Sequence, residues 1–513
     1  MLTVSLLVEI LRTRPRLIFW LAALAQAALW TLAPTFFYAA PPGGVAQVLA
    51  VGHEFKLGTD LGPPLAYWAA EIAFRLAGQN LFGVYLLSQV CVVVTYWAVF
   101  RLGSAIVGAR HAALAILLMV GISALTVPTP DFGPAILAMP LWALALLHYW
   151  RAVGEGRARY WFALALDLGL LLLTTYTGLA FAALLAAFTA STERGRKSFG
   201  RIEPMLAGIL LVLLLFPHLI WIDQASVLPR LMDLRMAETA DRSLLAWARL
   251  AGALIAGHAG LAVLVALSTN MFRPMRFEAP AIERLPVSAF GRRFVYFFAL
   301  APAAIVTLIG ALVGQPTPTA ISPLAILSAL AVIVAGGDII RLHHQRVAGL
   351  AWAGLLLAPP IVAAAAVIVL PWTLGIDLRT ARPASEIGRF FTESFERRTG
   401  RPCAVVGGDP DLAALIALAS PQRPGVYRET SAARSAWVDY EDLTRKGAVI
   451  VWPATDTAGT PPPGIKARFP GMVHEIPRAF ERRFQGRLPL LRIGWAVVRP
   501  QEAATPAPTE KSQ

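Results

Sequence analysis

The sequence predicts a polytopic α-helical membrane protein with a small α/β domain near its C-terminal end. Hydrophobic residues make up 57% of the 513 positions and charged residues only 15%, a composition that excludes an ordinary soluble globule. About eleven apolar runs are long enough to cross roughly 30 Å of hydrocarbon. After Asp377 the chain becomes polar and mixed. We therefore expect a transmembrane domain at 1–371, an α/β domain at 377–500 and a disordered tail at 501–513.

The apolar runs define the expected spans. The first follows three arginines and no small-residue cleavage pattern closes it, so we expect a retained span rather than a signal peptide. The fifth and sixth runs are short, because the polar break Thr174–Gly178 separates them. The runs lie near 17–38, 81–101, 110–127, 133–150, 159–174, 175–191, 203–222, 246–270, 292–314, 321–340 and 347–370.

The basic residues predict the orientation of these spans. The net charge is +14, but short basic clusters alternate with apolar runs, which is the pattern of topology signals and not of a nucleic-acid surface. With a cytoplasmic N-terminus, every cytoplasmic loop is basic. Loops 39–80 and 223–245 and the C-terminal domain then face outward. The cytoplasmic basic residues are Arg101, Arg110, Arg151, Arg157, Arg159, Arg194, Arg196, Lys197, Arg201, Arg273, Arg276, Arg284, Arg292, Arg293, Arg341 and Arg346.

The polar C-terminal region alternates helical and strand-like patterns. Helices are expected at 385–398 and 412–419, and strands at 403–406, 448–452 and 494–498. The Gly407-Gly408-Asp409 sequence lacks the spacing of a dinucleotide-binding loop. We interpret it as a strand-to-helix turn with Asp409 near the helix N-terminus. No Walker A or H-E-x-x-H sequence occurs, and the two cysteines support neither a disulfide framework nor a metal site.

The first outward loop holds the densest polar chemistry in the membrane domain. Residues 53–64 read HEFKLGTDLGPP, with two acids, one lysine and one histidine. Charged groups and irregular backbone are costly in lipid, so such a loop is typical of a site. Two further outward motifs follow, Pro128–Pro134 around Asp131 and the Thr175–Gly178 break around Tyr176.

These motifs resemble a known family in their order along the chain. The run 63–68 (PPLAYW) entering a helix is similar to the first extracytoplasmic loop of GT-C membrane glycosyltransferases, in the family 39 or protein-mannosyltransferase-like group that includes lipid A aminoarabinose transferases. Residues 128–134 resemble that group's second acidic motif, and 175–178 its short polar break. The tail resembles the group's periplasmic tail in placement. The resemblance covers most of the chain in layout but only short runs in motif.

The resemblance implies a GT-C-like fold and the transfer of a hexosyl or pentosyl group from a polyprenyl-phosphate donor to a lipid or glycan acceptor of the cell envelope, such as lipopolysaccharide. It implies a bacterial inner-membrane location, a periplasmic C-terminal domain and no nucleic-acid partner. The chemistry asks for a carboxylate base and for cations on the leaving phosphate. The candidates are Asp60 or Glu54 as base, Asp131 as a second acid that orients the acceptor or a metal, Lys56, Arg230 and Arg235 on the phosphate, and His53, Tyr67 and Tyr176 as further site residues. A divalent metal ion is compatible with these carboxylates although no ligand spacing requires one, and no other cofactor is expected.

One departure from the family pattern keeps other functions open. An acid typically begins the first loop in this group, whereas this chain has Gly43 and Gly44 there. Either Glu54 or Asp60 has taken that role, or the protein binds lipid-linked glycans without transferring them. A transporter is a third hypothesis, although we find no internal repeat.

Structural roles compete with the functional ones for the same side chains. Asp60 fits a turn cap, Glu54 fits a pair with Lys56, and Asp131 fits an acid at a helix start. The arginines of loop 223–245 fit a surface amphipathic helix as well as a phosphate clamp. His218, near an outer span end, is expected to be interfacial rather than catalytic.

Overall fold

The structure is a computed structural model, which describes residues 9–59, 61–224, 244–269, 281–313, 321–342, 345–427, 440–454, 456–469 and 471–500. Contacts within the chain divide it into two units. The described residues of Met1–Phe36 and Phe55–Ala364 form the first, which we call the helical unit. Those of Phe37–Glu54 and Ala365–Gln513 form the second, the C-terminal unit. The first outward loop is therefore divided between the two units. The sequence pattern does not predict this division.

The helical unit consists almost entirely of helices, as the apolar runs predict. Three short elements accompany them: a 3₁₀ turn at Ser123–Leu125, a π-helical turn at Trp150–Gly154, and an antiparallel pair of three-residue strands. The helices up to residue 224 are α1 (Pro15–Phe37), α2 (Val45–Gly52), α3 (Leu65–Leu76), α4 (Leu81–Ile106), α5 (Ala109–Met119), α6 (Pro134–Tyr149), α7 (Tyr160–Leu172), α8 (Thr177–Ser191), α9 (Glu193–Phe199) and α10 (Ile202–Gln224). The remaining elements are α11 (Leu244–Gly257), α12 (Ala259–Ser268), β1 (Ala281–Glu283), α13 (Ala289–Val313), α14 (Ile321–Leu324), α15 (Ser328–Ala335), β2 (Ile339–Arg341) and α16 (Gln345–Thr373). Of these, α2 belongs to the C-terminal unit and α1 and α16 run across the boundary.

Among the described residues, seven helical segments are long and apolar enough to cross a membrane. The other predicted runs form shorter or broken helices, so the number of spans stays a prediction. The run 246–270 is one of the seven, although it breaks at His258 between α11 and α12. The run 321–340 is not one helix, because α15 ends before Gly336 and Gly337, and Gly337 has a positive φ of 83°. The run 110–127 is helical only as far as Met119.

Helix α4 lies at the centre of the helical unit. It packs against α3, α5 and α6, and fourteen of its residues are buried. A side-chain hydrogen bond fixes the loop that precedes α6 to this helix: Gln89 Nε2 donates to Thr129 Oγ1 over 2.9 Å, and both residues are fully buried. Thr129 Oγ1 in turn donates to the Thr126 carbonyl. The second acidic motif therefore has a fixed position on α4.

The C-terminal unit is a mixed α/β domain, as predicted. Its five-stranded sheet has the order β4-β3-β5-β7-β6, with β3 parallel to β4 and β5 and the other pairs antiparallel. Trp452 and Trp495, which are buried on the sheet, and Phe391 and Phe395 of α17 belong to the core. The elements are α17 (Ala384–Thr399), β3 (Val405–Gly408), α18 (Pro410–Ala419), β4 (Gly425–Val426), α19 (Tyr440–Lys446), β5 (Ala448–Pro453), α20 (Pro463–Arg468), β6 (Val473–Phe480) and β7 (Leu491–Val498).

The predicted elements of this domain are confirmed. The helices expected at 385–398 and 412–419 are α17 and α18, and the three expected strands are β3, β5 and β7. Asp409 caps α18, since its side chain accepts a hydrogen bond from the Leu412 amide over 2.9 Å. Two strands were not predicted. β4 has only two residues, and β6 lies at the sheet edge, where Ile476 is 86% exposed and the pattern is weak.

Helix α2, from the first half of the first outward loop, packs against α18 of the C-terminal unit. Gln47 Nε2 donates to Asp411 Oδ1 over 2.9 Å, and Arg423 Nη2 donates to the Leu49 carbonyl over 3.2 Å. Gly43, with a φ of 49°, stands just before the N-cap Gly44 of this helix. The two glycines found where the resembled group typically has an acid therefore form the turn that starts α2.

The carboxylate of Asp377 forms ion pairs with two arginines, Arg382 and Arg482. Arg482 lies in the β6–β7 connection, so one of these pairs links Asp377 to the last hairpin. Asp377 Oδ1 accepts from Arg482 Nε over 2.7 Å, and Asp377 Oδ2 from Arg382 Nη2 over 3.1 Å. The Arg482 side chain is only 5% exposed. Burial alone would raise the pKa of Asp377, but the hydrogen bond from Arg482 and the two positive charges outweigh it, so the pKa is lower than usual.

The Asp377 pair predicts an acid-sensitive C-terminal unit. Because the folded pKa is depressed, the carboxylate stabilises the unit fully above its ordinary pKa of about 3.9 and loses this effect as the pH falls through the folded value. Asp377→Asn leaves Arg482 buried without its counter-charge and should cost about 1–3 kcal/mol at neutral pH. Hydrogen-exchange protection of β6 and β7 in the full-length detergent-solubilised protein measures both effects. Glu386→Gln, at an exposed acid of α17, is the control. Equal protection in Asp377→Asn and wild type between pH 3 and pH 6 would contradict the assignment.

The Gln89–Thr129 hydrogen bond predicts coupling between two substitutions. In a double-mutant cycle with Gln89→Leu and Thr129→Val, the interaction should be about 0.6 kcal/mol, the average for side-chain hydrogen bonds between membrane helices. Unfolding of the micellar protein measures it. Thr95→Val is the control partner, because Thr95 Oγ1 bonds to the Cys91 carbonyl of its own helix. Additive effects of Gln89→Leu and Thr129→Val would show that the loop is held in another way.

Candidate functional site

Two backbone carbonyls of the first outward loop accept hydrogen bonds from side chains of helices. Trp68 Nε1 on α3 donates to the Lys56 carbonyl over 3.0 Å. His218 Nδ1 on α10 lies 2.8 Å from the Leu57 carbonyl oxygen. The Lys56–Leu57 backbone is thus fixed from two directions, while the Phe55 and Leu57 side chains are 40% and 46% exposed. The loop is ordered by its backbone contacts and not by burial of its side chains.

Gly58, the next residue, lies directly beneath an aromatic ring. A Cβ atom at Gly58 would overlap the six-membered ring of Trp221. Only glycine therefore lets the loop approach α10 this closely. Thr59 and Gly62, the neighbours of Asp60 and Leu61, are paired through both backbone amides at 3.1 Å each. Gly62 has a φ of 137°, which favours glycine at that position.

The Thr175–Gly178 break meets the same region of α10. The Tyr176 hydroxyl lies 3.2 Å from His218 Nε2. The Tyr176 and Trp221 rings both lie near the imidazole, with centroid distances of 6.0 and 5.5 Å. His218 is only 4% exposed. The side chain is therefore buried within the protein, enclosed by the break and the first loop.

The Pro63-Pro64 entry to α3 is also fixed by a neighbouring helix. Neither proline carries a backbone N–H, and the first amide of α3, that of Leu65, donates to the Leu173 carbonyl just after α7 over 2.9 Å. Tyr67, one turn further, is 3% exposed. The first loop, the Pro-Pro entry and the polar break thus form one connected structure, which we call the outer cluster (residues 55–68, 173–178 and 218–221).

The remaining predicted site residues lie elsewhere or outside the described residues. Asp131 is exposed at the start of α6, where its amide donates to the Pro128 carbonyl over 3.0 Å. His53 and Glu54 belong to the C-terminal unit and Lys56 to the helical unit. Asp60, Arg230 and Arg235 lie outside the described residues, as does the tail at 501–513. The structure therefore brings Lys56, Tyr67 and Tyr176 into the outer cluster and leaves the role of each predicted residue a proposal.

Sequence reasoning missed the contribution of α10 to this cluster. His218 and Trp221 are three residues apart and so share one face of the helix. That spacing is a local pattern in the sequence. Gly58, which the α10 side chains contact, is 160 positions from His218, and nothing in the sequence around it indicates this contact. A polar and an aromatic residue at a span end are usually interfacial, which hid their role.

The described residues contain no group of three or more His, Cys, Asp or Glu side chains placed to hold a metal ion. The predicted divalent metal therefore has no donor set there, and we derive no chemistry through it.

The basic loops contact one another at a different set of span ends. Arg12 Nη2 donates to the Ala281 carbonyl over 2.8 Å, and Arg110 Nε donates to the Arg12 carbonyl over 2.9 Å. Arg284 pairs with Asp338 at 3.3 Å. These contacts join the N-terminus, the α4–α5 connection and the β1–β2 pair, whereas the outer cluster joins the connections between the other ends of the spans.

Comparison with known proteins finds one family that matches part of the chain. Residues 62–221 match the family described as dolichyl-phosphate-mannose-protein mannosyltransferase. No curated protein sequence matches the chain.

Two solved structures share the fold over nearly the whole chain. ArnT from Cupriavidus metallidurans bound to undecaprenyl phosphate is 12% identical, with a TM-score of 0.62 over 95% of this chain and 99% of that one. The apo state of the same ArnT is 12% identical, with a TM-score of 0.59 over 96% and 100% of the two chains. The segment that matches the family, in contrast, begins at Gly62 and ends at Trp221. Both of these residues lie in the outer cluster. The chain thus has an ArnT-like GT-C fold, and its residues 62–221 match the dolichyl-phosphate-mannose-protein mannosyltransferase family.

Proposed function

We propose that the protein is a membrane glycosyltransferase that moves one sugar from a polyprenyl-phosphate donor to a lipid or glycan acceptor on the periplasmic face of a bacterial inner membrane. The observation that carries this proposal is the family match over residues 62–221, whose two ends lie in the outer cluster. The likeness to ArnT bound to undecaprenyl phosphate supports a polyprenyl-phosphate donor. The sugar transferred is a hexosyl or pentosyl group.

The loop contacts support the proposed orientation. The basic loops that contact one another carry Arg12, Arg110 and Arg284, and loops rich in arginine and lysine face the cytoplasm. The N-terminus is then cytoplasmic, and the outer cluster and the C-terminal unit are periplasmic.

The proposed chemistry uses residues of the outer loops. A carboxylate takes the proton of the acceptor hydroxyl as its oxygen attacks the anomeric carbon of the donor sugar. The bond from that carbon to the phosphate oxygen breaks, and polyprenyl phosphate leaves. Lys56 with Arg230 or Arg235 binds the phosphate as its charge grows, while Asp131 orients the acceptor.

We assign the base to Asp60 in preference to Glu54. Glu54 lies in the C-terminal unit, where its Oε1 is 4.0 Å from the position of a Cβ on Gly425, so its carboxylate is next to edge strand β4. Asp60 follows the residues of the first loop that α3 and α10 hold. A general base needs a fixed backbone within reach of the acceptor proton.

One observation favours a second candidate function. The position at which this group has its first-loop acid is occupied by Gly43 and Gly44, which form the turn that starts α2. A protein without a working base would bind a lipid-linked glycan without transferring its sugar. The same substitution experiment separates the two functions.

Glycan and lipid profiling of a deletion strain tests the proposed function. A transferase predicts an envelope glycan or lipid that lacks one sugar, together with an accumulated polyprenyl-phosphate sugar. Re-expression of the wild type should restore the sugar. A profile identical to that of the parent strain would reject the proposal.

Complementation of this strain with Asp60→Asn and Glu54→Gln tests the base. Asp60→Asn should lower the transfer rate by about 100-fold or more, because an amide cannot accept the proton, whereas Glu54→Gln should restore the sugar. Glu193→Gln, at an exposed acid paired with Lys197, is the matched control. Loss in Glu54→Gln alone would move the role to Glu54. Full transfer in both variants would favour another base, and binding without transfer in the wild type would favour the second function.

Lys56→Gln tests the phosphate contact. We expect a raised KM for the polyprenyl-phosphate donor and a lower rate, since a neutral amide does not balance the charge of the leaving phosphate. Lys197→Gln, which removes an exposed lysine of the basic side, is the control and should transfer normally. An unchanged KM and rate in Lys56→Gln would show that Lys56 contacts lipid headgroups instead.

A further inference from the structure

Helix α10 buries only two of its residues, and one of them is polar. Along Ile202–Gln224 the buried residues are Ala207 and His218. Burying an imidazole without hydrogen bonds is costly, and both ring nitrogens of His218 have partners, the Leu57 carbonyl at 2.8 Å and the Tyr176 hydroxyl at 3.2 Å. A helix that otherwise contributes little buried surface thus places one polar side chain between two loops.

The hydrogen-bond partners of His218 determine which tautomer the neutral ring adopts. A carbonyl oxygen only accepts, so Nδ1 carries the hydrogen and donates it to Leu57. In the neutral ring Nε2 is then the acceptor, and the Tyr176 hydroxyl donates to it. The tyrosine of the polar break therefore orients the imidazole, and the imidazole orients the first loop.

The approach of the loop to α10 is also sterically determined. Trp221 stacks on the imidazole with an interplanar angle of 12° and covers Gly58. A larger residue at Gly58 would push the loop away and lengthen the bond from His218 to Leu57. The hydrogen bond and the glycine contact therefore specify the same loop position.

We propose that His218 is a positioning residue that fixes the backbone of Lys56, Leu57 and Gly58 through its hydrogen bond to the Leu57 carbonyl, with Tyr176 bonded to its other ring nitrogen. The role in transfer rests on the proposed function; the tether itself does not. The imidazole bonds to Leu57, which directly follows the proposed phosphate ligand Lys56 and lies three residues before the proposed base. A misplacement of about 1 Å in such groups costs on the order of 100-fold in rate.

Trypsin cleavage after Lys56 in the purified full-length protein measures the tether without any substrate. The Lys56 carbonyl of the cleaved peptide bond accepts a hydrogen bond from Trp68, and the next carbonyl, that of Leu57, accepts one from His218. Cleavage therefore requires the loop to open. His218→Leu should raise the cleavage rate about tenfold. His218→Asn should retain most of the protection, because its amide nitrogen takes the place of Nδ1. Tyr176→Phe, which leaves Nδ1 in place, should fall between them.

Two further variants keep the test independent of misfolding. Gly58→Ala leaves His218 intact and should raise the cleavage rate through overlap with Trp221. His258→Leu removes a histidine bonded to Leu254 and Ser328 and should leave the rate at Lys56 unchanged. Equal cleavage in His218→Leu, Gly58→Ala and wild type would overturn the tether, as would a His218→Asn variant as labile as His218→Leu.

Complementation of the deletion strain then tests the positioning role. His218→Leu should lose most transfer and His218→Asn should recover it, in parallel with the cleavage rates. Full transfer by His218→Leu with a loosened loop would overturn the positioning role alone. A deletion strain with an unchanged glycan profile would reject the proposed function, while the cleavage result would still decide the tether.

Discussion

The constraint on which the helical unit depends is that irregular backbone near lipid must find hydrogen-bond partners within the protein. Among the described residues, three connections that are not helical each use a partner from a different helix. Trp68 and His218 bind the carbonyls of Lys56 and Leu57, the Leu173 carbonyl accepts the first amide of α3, and Gln89 holds Thr129. These hydrogen bonds remove the cost of unpaired backbone groups near lipid. They also hold each loop in one conformation.

The first outward loop has two parts, which belong to different units of the chain. Up to Glu54 its residues pack on the C-terminal unit through α2, and from Phe55 onward they belong to the helical unit. Gly43 and Gly44 serve the first part, since a positive φ at Gly43 begins the turn into α2. The position at which the resembled group typically has an acid is thus used for structure in this chain.

How far the sequence predicts the molecule follows from the range of each interaction. Local periodicity predicts α17, α18 and the strands β3, β5 and β7, because burial on one side leaves a pattern in adjacent residues. It does not predict two-residue β4, nor the edge strand β6 with its exposed Ile476. In the candidate site, the motifs around Lys56, Asp131 and Tyr176 were visible as polar breaks in apolar sequence. The contribution of His218 was not, because its contacts reach Leu57, 161 positions earlier in the chain.

The outer cluster holds a loop backbone through side chains of two helices. The carbonyls of Lys56 and Leu57 are both hydrogen-bonded, so the backbone from which the Lys56 side chain extends has a fixed position. Gly58 removes the one side chain that would separate the loop from α10. A substrate charge that grows during reaction is met best by groups already in position, because reorganisation then costs little. A buried histidine whose two nitrogens each have one partner is well suited to that task, since it connects two loops without contributing a charge of its own.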